Sequence, residues 1–415
     1  MSTLRLKDRP AHGGFCVGIR EDGKVVMVHG ALPGEKVGVR LTQETSKVAF
    51  AEVIEVLEAS PDRVEHPWES AGSLGVGGAD LGHVSLEGQL IWKAQVIEDT
   101  LRRIGGVELA GAFQGDKRVE VHSLDRTSGE DFGRRRLEFV ISEGEKPAMY
   151  RAGTHDLVEV PDMPFAVPAL EDLHIFGDDT RWNFRPGQRL KAVLPSACDP
   201  VLCIDKQAFG QDGKKAPRHV NEAVRWQDTE IRYRVRPESF WQAHSHAPSV
   251  LVDAVMSMAQ VETGDTVTEL FAGSGLFTVP LGLCAGETGR IASLEAARAA
   301  VSDAVANMRT NGVQAAYDLR VASVNAKEIR LLAPFMEGGV TVLDPPRVGA
   351  KRGVIQEILQ AKPRRVVMVS CDPAAMSRDL RAALEFGYAP RSYLALDLFP
   401  YTHHVEVVTC LEPTS

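Results

Sequence analysis

The sequence predicts an α/β protein of three parts: a small β-barrel, a mixed central segment and a C-terminal sheet with helices on both faces. Residues 1–57 alternate short apolar runs with Gly and Pro turns, as small barrels do. From about residue 248, strand patterns alternate with helical ones, which is typical of a parallel sheet. The 415 residues are enough for two or three hydrophobic cores.

Composition and charge exclude several classes of protein. The chain is 44% apolar and 25% charged, and no apolar run reaches the roughly 18 residues that span a membrane. The first ten residues lack the apolar core of a secretory signal, so we expect a cytoplasmic protein with no membrane partner. The six cysteines form no C-x-x-C pair, which favours free thiols. A net charge of −9 argues against a surface that binds nucleic acid throughout, but a local basic path remains compatible with it.

The segment between the barrel and the C-terminal sheet is less regular. We interpret residues 59–67 as a linker, and residues 84–105 have the apolar spacing of a helix that ends at Gly105 and Gly106. The stretch 117–235 is mixed and mostly strand-like. Three dense basic clusters lie along the chain, and we interpret the first two as solvated faces: 133–136, 212–219 and 345–352.

The C-terminal part has a regular order of strands and helices. Apolar patterns predict strands at 266–270, 290–294, 318–324, 339–343, 365–370, 391–398 and 404–411. Helical patterns lie at 248–260, 276–284, 296–310, 352–361 and 373–386. The last two strands are joined by a tight turn, which predicts an antiparallel edge. Ligands of such sheets bind at the carboxyl ends of the strands.

The first two strand ends predict a ligand with a ribose. Gly273 and Gly275 follow the first strand and allow a backbone turn that opens a helix close to a ligand. Glu295 ends the second strand, where a carboxylate can accept both ribose hydroxyls. Leu276 and Thr278 stand where a dinucleotide motif has its third glycine, and no phosphate-loop lysine follows. S-adenosylmethionine, which has adenosine but no phosphate, fits this pattern better than NAD.

Three later strand ends carry reactive side chains. Asp344 lies in the run "LDPPR", which is unusual for a simple loop. Cys371 ends a strand directly before a helix whose first residue is Pro373. It is either a small buried hydrophobe or a nucleophile whose thiolate is favoured by the helix N-terminus. Glu406 alternates with valines, so it faces solvent or has a function.

Taken together, these motifs resemble the RNA uridine-C5 methyltransferase family, the enzymes that make 5-methyluridine in 23S rRNA and tRNA. The resemblance covers nearly the whole chain, and the most specific motifs are "LDPPR", "VSCDP" followed by "SRDL", and "FPYTHHVE". It implies a TRAM domain, an OB-like RNA-binding barrel, at 1–58. It further implies a mixed α+β central domain at 59–236 and a Rossmann-like class I methyltransferase domain at 237–415.

The resemblance also implies roles for individual residues. Cys371 matches the family's nucleophile and Glu406 its general base. The positions that match the binding site for S-adenosylmethionine are Gln242, Phe271, Gly273, Gly275, Glu295, Asn325 and Asp344. Asp372 stands where the family usually has Asn, which changes the local polarity beside the nucleophile.

A larger departure concerns a metal cluster. Many members carry a [4Fe–4S] cluster on four cysteines, and the matching positions here hold Ser70, Val76, Ala79 and Met163. None of these side chains donates a thiolate, so we predict no iron–sulfur cluster and no metal site. The loop at 70–83 must then be held by ordinary packing.

The predicted function is methylation of uridine C5 in RNA with S-adenosylmethionine. The N-terminal barrel favours 23S rRNA as the partner, and tRNA is the alternative. A catalytically silent RNA-binding or assembly factor is a further alternative, because the cluster is lost. No segment indicates an obligate protein partner. We hypothesise that Arg347, Lys351 and Arg352 contact phosphates, since they follow Asp344 at the active edge.

Overall fold

The computed structural model describes residues 2–72, 75–115, 117–124, 133–177 and 180–414. These residues form a closed barrel, a central antiparallel sheet and a large mixed sheet, and a short two-stranded hairpin leads into the last of these. None of the described helices is both long and apolar enough to cross a membrane.

The N-terminal barrel has five strands in the order β1–β2–β3–β5–β4. They are β1 (Ser2–Ala11), β2 (Phe15–Ile19), β3 (Val25–His29), β4 (Lys36–Glu44) and β5 (Val48–Glu58). Strand β1 pairs with both β2 and β4, which closes the barrel. Alternate side chains such as Val26 and Val28 are buried inside it, because successive residues of a strand point to opposite faces. The predicted barrel is confirmed.

A long helix connects the barrel to the C-terminal domain. Helix α1 (Leu86–Thr100) continues as one π-helical stretch, Leu101–Gly105, and ends where Gly106 has φ +94°. Trp92 and Val96 belong to the barrel's apolar core, whereas Ile97 belongs to a core under the large sheet. Helix α1 therefore packs against both domains. Helix α2 (Val107–Gln114) and strand β6 (Val121–Ser123) follow.

The central sheet is antiparallel and has the order β12–β11–β10–β7–β8–β9. Its strands are β7 (Arg136–Ile141), β8 (Pro147–Tyr150), β9 (Leu157–Glu159), β10 (Arg189–Val193), β11 (Val201–Ile204) and β12 (Gln207–Gly210). The hairpin of β13 (Val220–Trp226) and β14 (Thr229–Val235) then packs into the core of the C-terminal domain. The division of the chain at residue 236 stays a prediction.

The large sheet has eight strands in the order β17–β16–β15–β18–β19–β21–β20–β6. Its C-terminal strands are β15 (Thr266–Leu270), β16 (Arg290–Glu295), β17 (Ala316–Val321), β18 (Val340–Leu343), β19 (Arg365–Ser370), β20 (Tyr388–Asp397) and β21 (Glu406–Pro413). The helices are α3 (Ala247–Ala259), α4 (Thr278–Ala285), α5 (Arg298–Thr310), α6 (Ala326–Met336), α7 (Arg352–Gln360) and α8 (Pro373–Glu385). Buried residues of α3 and α4 belong to one core and those of α6, α7 and α8 to another, so the predicted helix-covered sheet is confirmed.

Two features of this sheet differ from the sequence prediction. Strand β17 ends at Val321 rather than at 324, and the unpredicted helix α6 follows it. Pro334 inside α6 interrupts its helical pattern. The closing hairpin is also not the sheet edge, because β21 lies between β19 and β20 and the three-residue β6 pairs outside β20. A strand that short has no readable periodicity.

The first basic cluster is buried, so its interpretation as a solvated face is wrong. Arg134 donates a hydrogen bond to the carbonyl of Gly78 at 2.8 Å. Arg136 forms an ion pair with buried Glu222 at 3.0 Å. Sequence alone does not show that a carboxylate 86 residues away compensates this charge. The second cluster has exposed lysines, as predicted.

The loop at the substituted cluster positions is held by apolar packing, as predicted. Val76, Ala79 and Met163 are all buried in one core, together with Trp68 and Phe165. The described residues contain no group of three or more His, Cys, Asp or Glu side chains that could hold a metal ion. The side chains present here do not fit an iron–sulfur cluster, because they contain no thiolate donor.

Candidate active site at the sheet edge

The parallel register gathers the predicted cofactor residues at one edge of the sheet. Leu270 of β15 pairs with Leu294 of β16 on one side and with Leu343 of β18 on the other. The next residue of each strand therefore lies at the same level, beside its neighbours: Phe271, Glu295 and Asp344. Sheet pairing thus assembles three of the predicted side chains from segments far apart in sequence.

The turn after β15 has an unusual backbone. Phe271 has φ +63°, a left-handed conformation that is uncommon for a residue with a side chain, and its N–H donates to the carbonyl of Leu294 at 2.9 Å. A Cβ atom at Gly273 would have no other atom within 4 Å, whereas one at Gly275 would lie 3.2 Å from the Cβ of Ala304. Gly275 therefore permits close packing against α5, and Gly273 borders open space that a ligand can fill.

The carboxylate of Glu295 is already ordered by this turn. Its two oxygens accept N–H groups of Gly273 at 3.1 Å and Ala297 at 2.7 Å. The side chain is half-buried, and each carboxylate oxygen can accept a second hydrogen bond. The binding of ribose hydroxyls by Glu295 stays a prediction.

Two further predicted residues have different surroundings. Gln242 is half-buried beside Trp241, whose ring lies 5.1 Å from that of Tyr233. The Tyr233 hydroxyl donates to the carbonyl of Leu276 at 2.8 Å, which joins the Tyr233–Trp241 pair next to Gln242 to the glycine turn. Asn325 is exposed four residues after β17, where its carboxamide oxygen accepts two N–H groups of the first turn of α6, at 3.0 and 3.2 Å.

The antiparallel register brings the two predicted catalytic residues together. Ser370 of β19 pairs with Val407 of β21. Continued by one residue, this register places Cys371 opposite Glu406. Glu406 is only 7% exposed, which rules out the alternative that it faces solvent. Burial and nearby Asp344 raise the pKa of Glu406 well above its usual value.

The thiol of Cys371 is surrounded by acids. Burial, followed by nearby Glu406 and Asp344, raises its pKa to about 12, although Arg347 opposes the shift. These surroundings favour the protonated thiol, and the effect of the start of α8 on the thiolate stays a prediction. Asp372 caps this helix with its own carboxylate, which offsets the positive end of the helix dipole next to the thiol.

Comparison with known proteins identifies the family. A family model described as tRNA (Uracil-5-)-methyltransferase matches residues 207–413, and the TRAM domain model matches residues 5–54. The chain is 35% identical to an uncharacterized RNA methyltransferase of Bifidobacterium longum, over 97% of this chain and 94% of the relative. It is 30% identical to the 23S rRNA (uracil(1939)-C(5))-methyltransferase RlmD of Halomonas elongata, over 97% of this chain and 88% of the relative. The chain belongs to the RNA uracil-C5 methyltransferase family.

A solved structure shares the fold of this methyltransferase. The tRNA (uracil-54, C5)-methyltransferase of Pyrococcus abyssi, in complex with S-adenosyl-L-homocysteine, has a TM-score of 0.68 at 20% sequence identity. The match covers 98% of this chain and 99% of that chain. The protein is an S-adenosylmethionine-dependent methyltransferase that acts on uracil C5 of RNA.

Besides Arg347, which the sequence suggested as a phosphate contact, the structure adds residues to the methyltransferase site that the sequence did not single out. Arg347 donates to Nε2 of His404 at 3.0 Å, and burial, with His403 and Arg347 nearby, lowers the pKa of His404 to about 3. His403 lies 2.6 Å from Asp80. Although burial opposes it, this hydrogen bond lowers the pKa of Asp80 to about 2. The histidine pair before Glu406 was a readable signal, whereas nothing in the local sequence marked Asp80.

A further acid lies next to the glycine turn. Glu269 of β15 is 1% exposed and accepts a hydrogen bond from Thr278, while its Oε1 has no hydrogen-bond partner. Burial raises its pKa to about 8, although the bond from Thr278 opposes the shift. The site therefore holds several acids close together, which suits a cationic ligand such as a sulfonium.

Proposed function

We propose that this methyltransferase modifies a uridine of 23S rRNA, with Cys371 as the nucleophile and Glu406 as the base. The observation that supports this most directly is the register that places Cys371 opposite Glu406 in a buried site beside Asp344. A thiol and a carboxyl group on residues that face each other across two paired strands can act on two neighbouring atoms of one base.

The chemistry requires both groups. The Cys371 thiolate forms a bond to C6 of uracil, and the electrons of the C5–C6 double bond move to make an enolate. Carbon C5 then bonds to the methyl group while the bond between that methyl group and the sulfonium sulfur breaks, which leaves S-adenosylhomocysteine, and C5 still carries its proton. The carboxylate of Glu406 removes that proton, the double bond re-forms, and the sulfur–C6 bond breaks to return the thiolate. To reach the buried pair, the base must leave its stack.

The cofactor residues that we propose are Gln242, Phe271, Gly273, Gly275, Glu295 and Asp344, of which Gly273 borders open space. S-adenosylmethionine supplies an electrophilic methyl group on a cationic sulfur. Burial raises the pKa of Asp344 to about 7, so its carboxylate is available to attract a cation from neutral pH upwards. Asn325 stays a prediction as a cofactor ligand, since its carboxamide already caps α6.

The choice of rRNA rests on the barrel and on the relatives. The chain has a TRAM domain, and the relative from Halomonas elongata is named for a 23S rRNA uracil. The second candidate substrate is a tRNA uridine, because the matching family model is described by that activity. Either RNA is found in the cytoplasm, which we propose as the location.

A trapping experiment tests this proposal. Glu406→Gln protein is mixed with S-adenosylmethionine and either 23S rRNA fragments or tRNA, and the products are run on a denaturing gel. We expect a slow-migrating protein–RNA adduct with rRNA, because the proton cannot be removed and the sulfur–C6 bond persists.

The matched control is Cys371→Ala in the same background, which must abolish the adduct. An adduct with tRNA alone would show that the substrate is tRNA rather than rRNA. No adduct, together with no methyl transfer to either RNA by the wild-type protein, would contradict the proposal and favour the RNA-binding factor.

A further inference from the structure

The loop between β1 and β2 of the barrel reaches the active-site edge of the other domain. Nε2 of His12 lies 2.8 Å from Oδ2 of Asp372, across a sequence separation of 360 residues. Asp372 directly follows Cys371 in the chain. The barrel thus contacts the residue next to the proposed nucleophile.

Asp372 uses its two oxygens for two different partners. Its Oδ1 accepts the N–H of Ala375 at 2.7 Å, which caps α8, while Oδ2 pairs with His12. Although burial opposes it, these hydrogen bonds lower the pKa of Asp372. With one oxygen held by the helix and the other by the barrel, the carboxylate has a defined orientation, and so does the backbone that carries the thiol.

The same loop also contacts the segment before Glu406. Gly14 has φ +79°, and a Cβ atom there would lie only 2.7 Å from Oδ2 of Asp80 and 3.5 Å from Nδ1 of His403. Asp80 accepts both the backbone N–H of His403, at 3.0 Å, and its ring, at 2.6 Å. The rings of His12 and His403 are 6.4 Å apart. The loop 12–14 therefore rests on both chain segments that present the catalytic pair.

These polar contacts are not what holds the barrel in place. Trp92 and Val96 of α1, with Leu81 and Val84, are buried in the barrel's own apolar core, which anchors the barrel through hydrophobic contact. The His12–Asp372 pair is partly exposed, with side chains 39% and 21% accessible, and pairs of this kind add little to folding stability. Its position beside Cys371 indicates a geometric rather than a stabilising role.

We infer that His12 is a positioning residue for methyl transfer: the barrel loop 12–14, through Asp372, holds the start of α8 so that Cys371 faces the target base. The inference rests on the proposed role of Cys371. It gives the barrel a part in the chemical step in addition to RNA binding, because displacement of the loop loosens the backbone next to the nucleophile.

The test measures the rate of adduct formation in the Glu406→Gln background at saturating RNA and S-adenosylmethionine. We expect His12→Ala to slow adduct formation by about tenfold or more, since small misplacements of reacting groups have large effects on rate, with RNA affinity changed by less than about twofold. His12→Gln should restore most of the rate, because its amide nitrogen can donate a hydrogen bond from nearly the same position.

Arg20→Ala is the matched control. Arg20 pairs with Asp22 and Glu44 on the surface of the same barrel, so its loss should leave the rate unchanged. A normal rate of adduct formation with His12→Ala would overturn the inference, as would an equal loss of rate with Arg20→Ala. In both cases the adduct itself would still support the proposed function.

A second measurement is independent of RNA. His12→Ala should speed amide hydrogen exchange over residues 371–376 and leave exchange over β3 unchanged, as measured by mass spectrometry on the full chain. If no RNA gives an adduct even with His12 intact, the proposed function fails, and this measurement still decides whether the loop orders the start of α8. Unchanged exchange at 371–376 would contradict the inference.

Discussion

Cys371, the proposed nucleophile, lies in surroundings that favour its protonated thiol. The thiol is half-buried, and this burial, followed by nearby Glu406 and Asp344, raises its pKa, while Arg347 is the nearby cation that opposes the shift. Arg347 in turn donates to His404, whose low pKa keeps the ring neutral, so no second positive charge arises there. The reactivity of the thiol therefore depends on the balance between one arginine and two carboxyl groups.

Alkylation of Cys371 by iodoacetamide should report this balance. We expect slow labelling at pH 7 and a rise of about tenfold per pH unit towards pH 10, because only the thiolate reacts and its fraction grows tenfold per unit below the pKa. Glu406→Gln should speed labelling at each pH, and Arg347→Gln should slow it. The rate is measured by mass spectrometry of the peptide that contains Cys371.

Exposed Cys198 in the same sample is the internal control, and its labelling should be equal in all three proteins. If the two variants shift the labelling of Cys371 in the same direction, the assignment of these charges is wrong.

Pairing between the strands brings the ends of several strands to the same edge of the sheet. Strand β15 pairs with β16 and β18, and β19 pairs with the antiparallel β21, so residues from distant segments meet at one edge. Because side chains alternate along a strand, a register slip of one residue would turn Glu406 away from Cys371. Each helix must also begin at the right residue, and α6 begins at Ala326, directly after its N-cap Asn325.

Replacement of Asn325 tests whether this residue caps α6 or binds the cofactor. Asn325→Ala removes the side-chain oxygen that accepts two N–H groups of α6, so we expect a loss of about 1 kcal/mol in the free energy of unfolding. Asn325→Asp, which can still cap, should retain most of the stability. Chemical denaturation measures the first quantity and calorimetric titration measures cofactor affinity. A large loss of affinity for S-adenosylmethionine with unchanged stability would show a ligand instead.

The whole molecule binds a polyanion although its net charge is −9. Much of its basic charge is already paired: Arg136 with Glu222, and Arg352 with Glu385 beside the ring of Phe386. Arg347 and Lys351 are exposed at the active edge. The RNA contact that we propose at this edge would therefore depend on few cations.

The salt dependence of RNA binding should identify these cations. We expect Arg347→Gln and Lys351→Gln each to lower the slope of log affinity against log salt by roughly 0.7 to 0.9, the amount per phosphate contact. Arg352→Gln is the matched control and should change the slope less, because its charge already pairs with Glu385. Binding is measured by fluorescence anisotropy over a range of salt concentrations. Equal slopes for all four proteins would place the RNA path elsewhere.

The sequence by itself determined the barrel, the alternation of strands and helices, and the reactive residues at strand ends. Gly273, Asp344 and Cys371 could be found because turns, strand ends and motifs are local patterns. The sequence also shows that Ser70 and Met163, at positions that match the family's cluster cysteines, contain no thiolate.

Only the tertiary structure decided which of these residues act together. Strand order and register place Cys371 opposite Glu406, and they bury Glu406 where its alternation with valines left a solvent face open. Burial among acids raises the pKa of Cys371, whereas the local helix start predicted the opposite. The bond from His12 to Asp372 joins residues 360 apart. Pairing and burial over such separations depend on the arrangement of the whole chain, which no local pattern encodes.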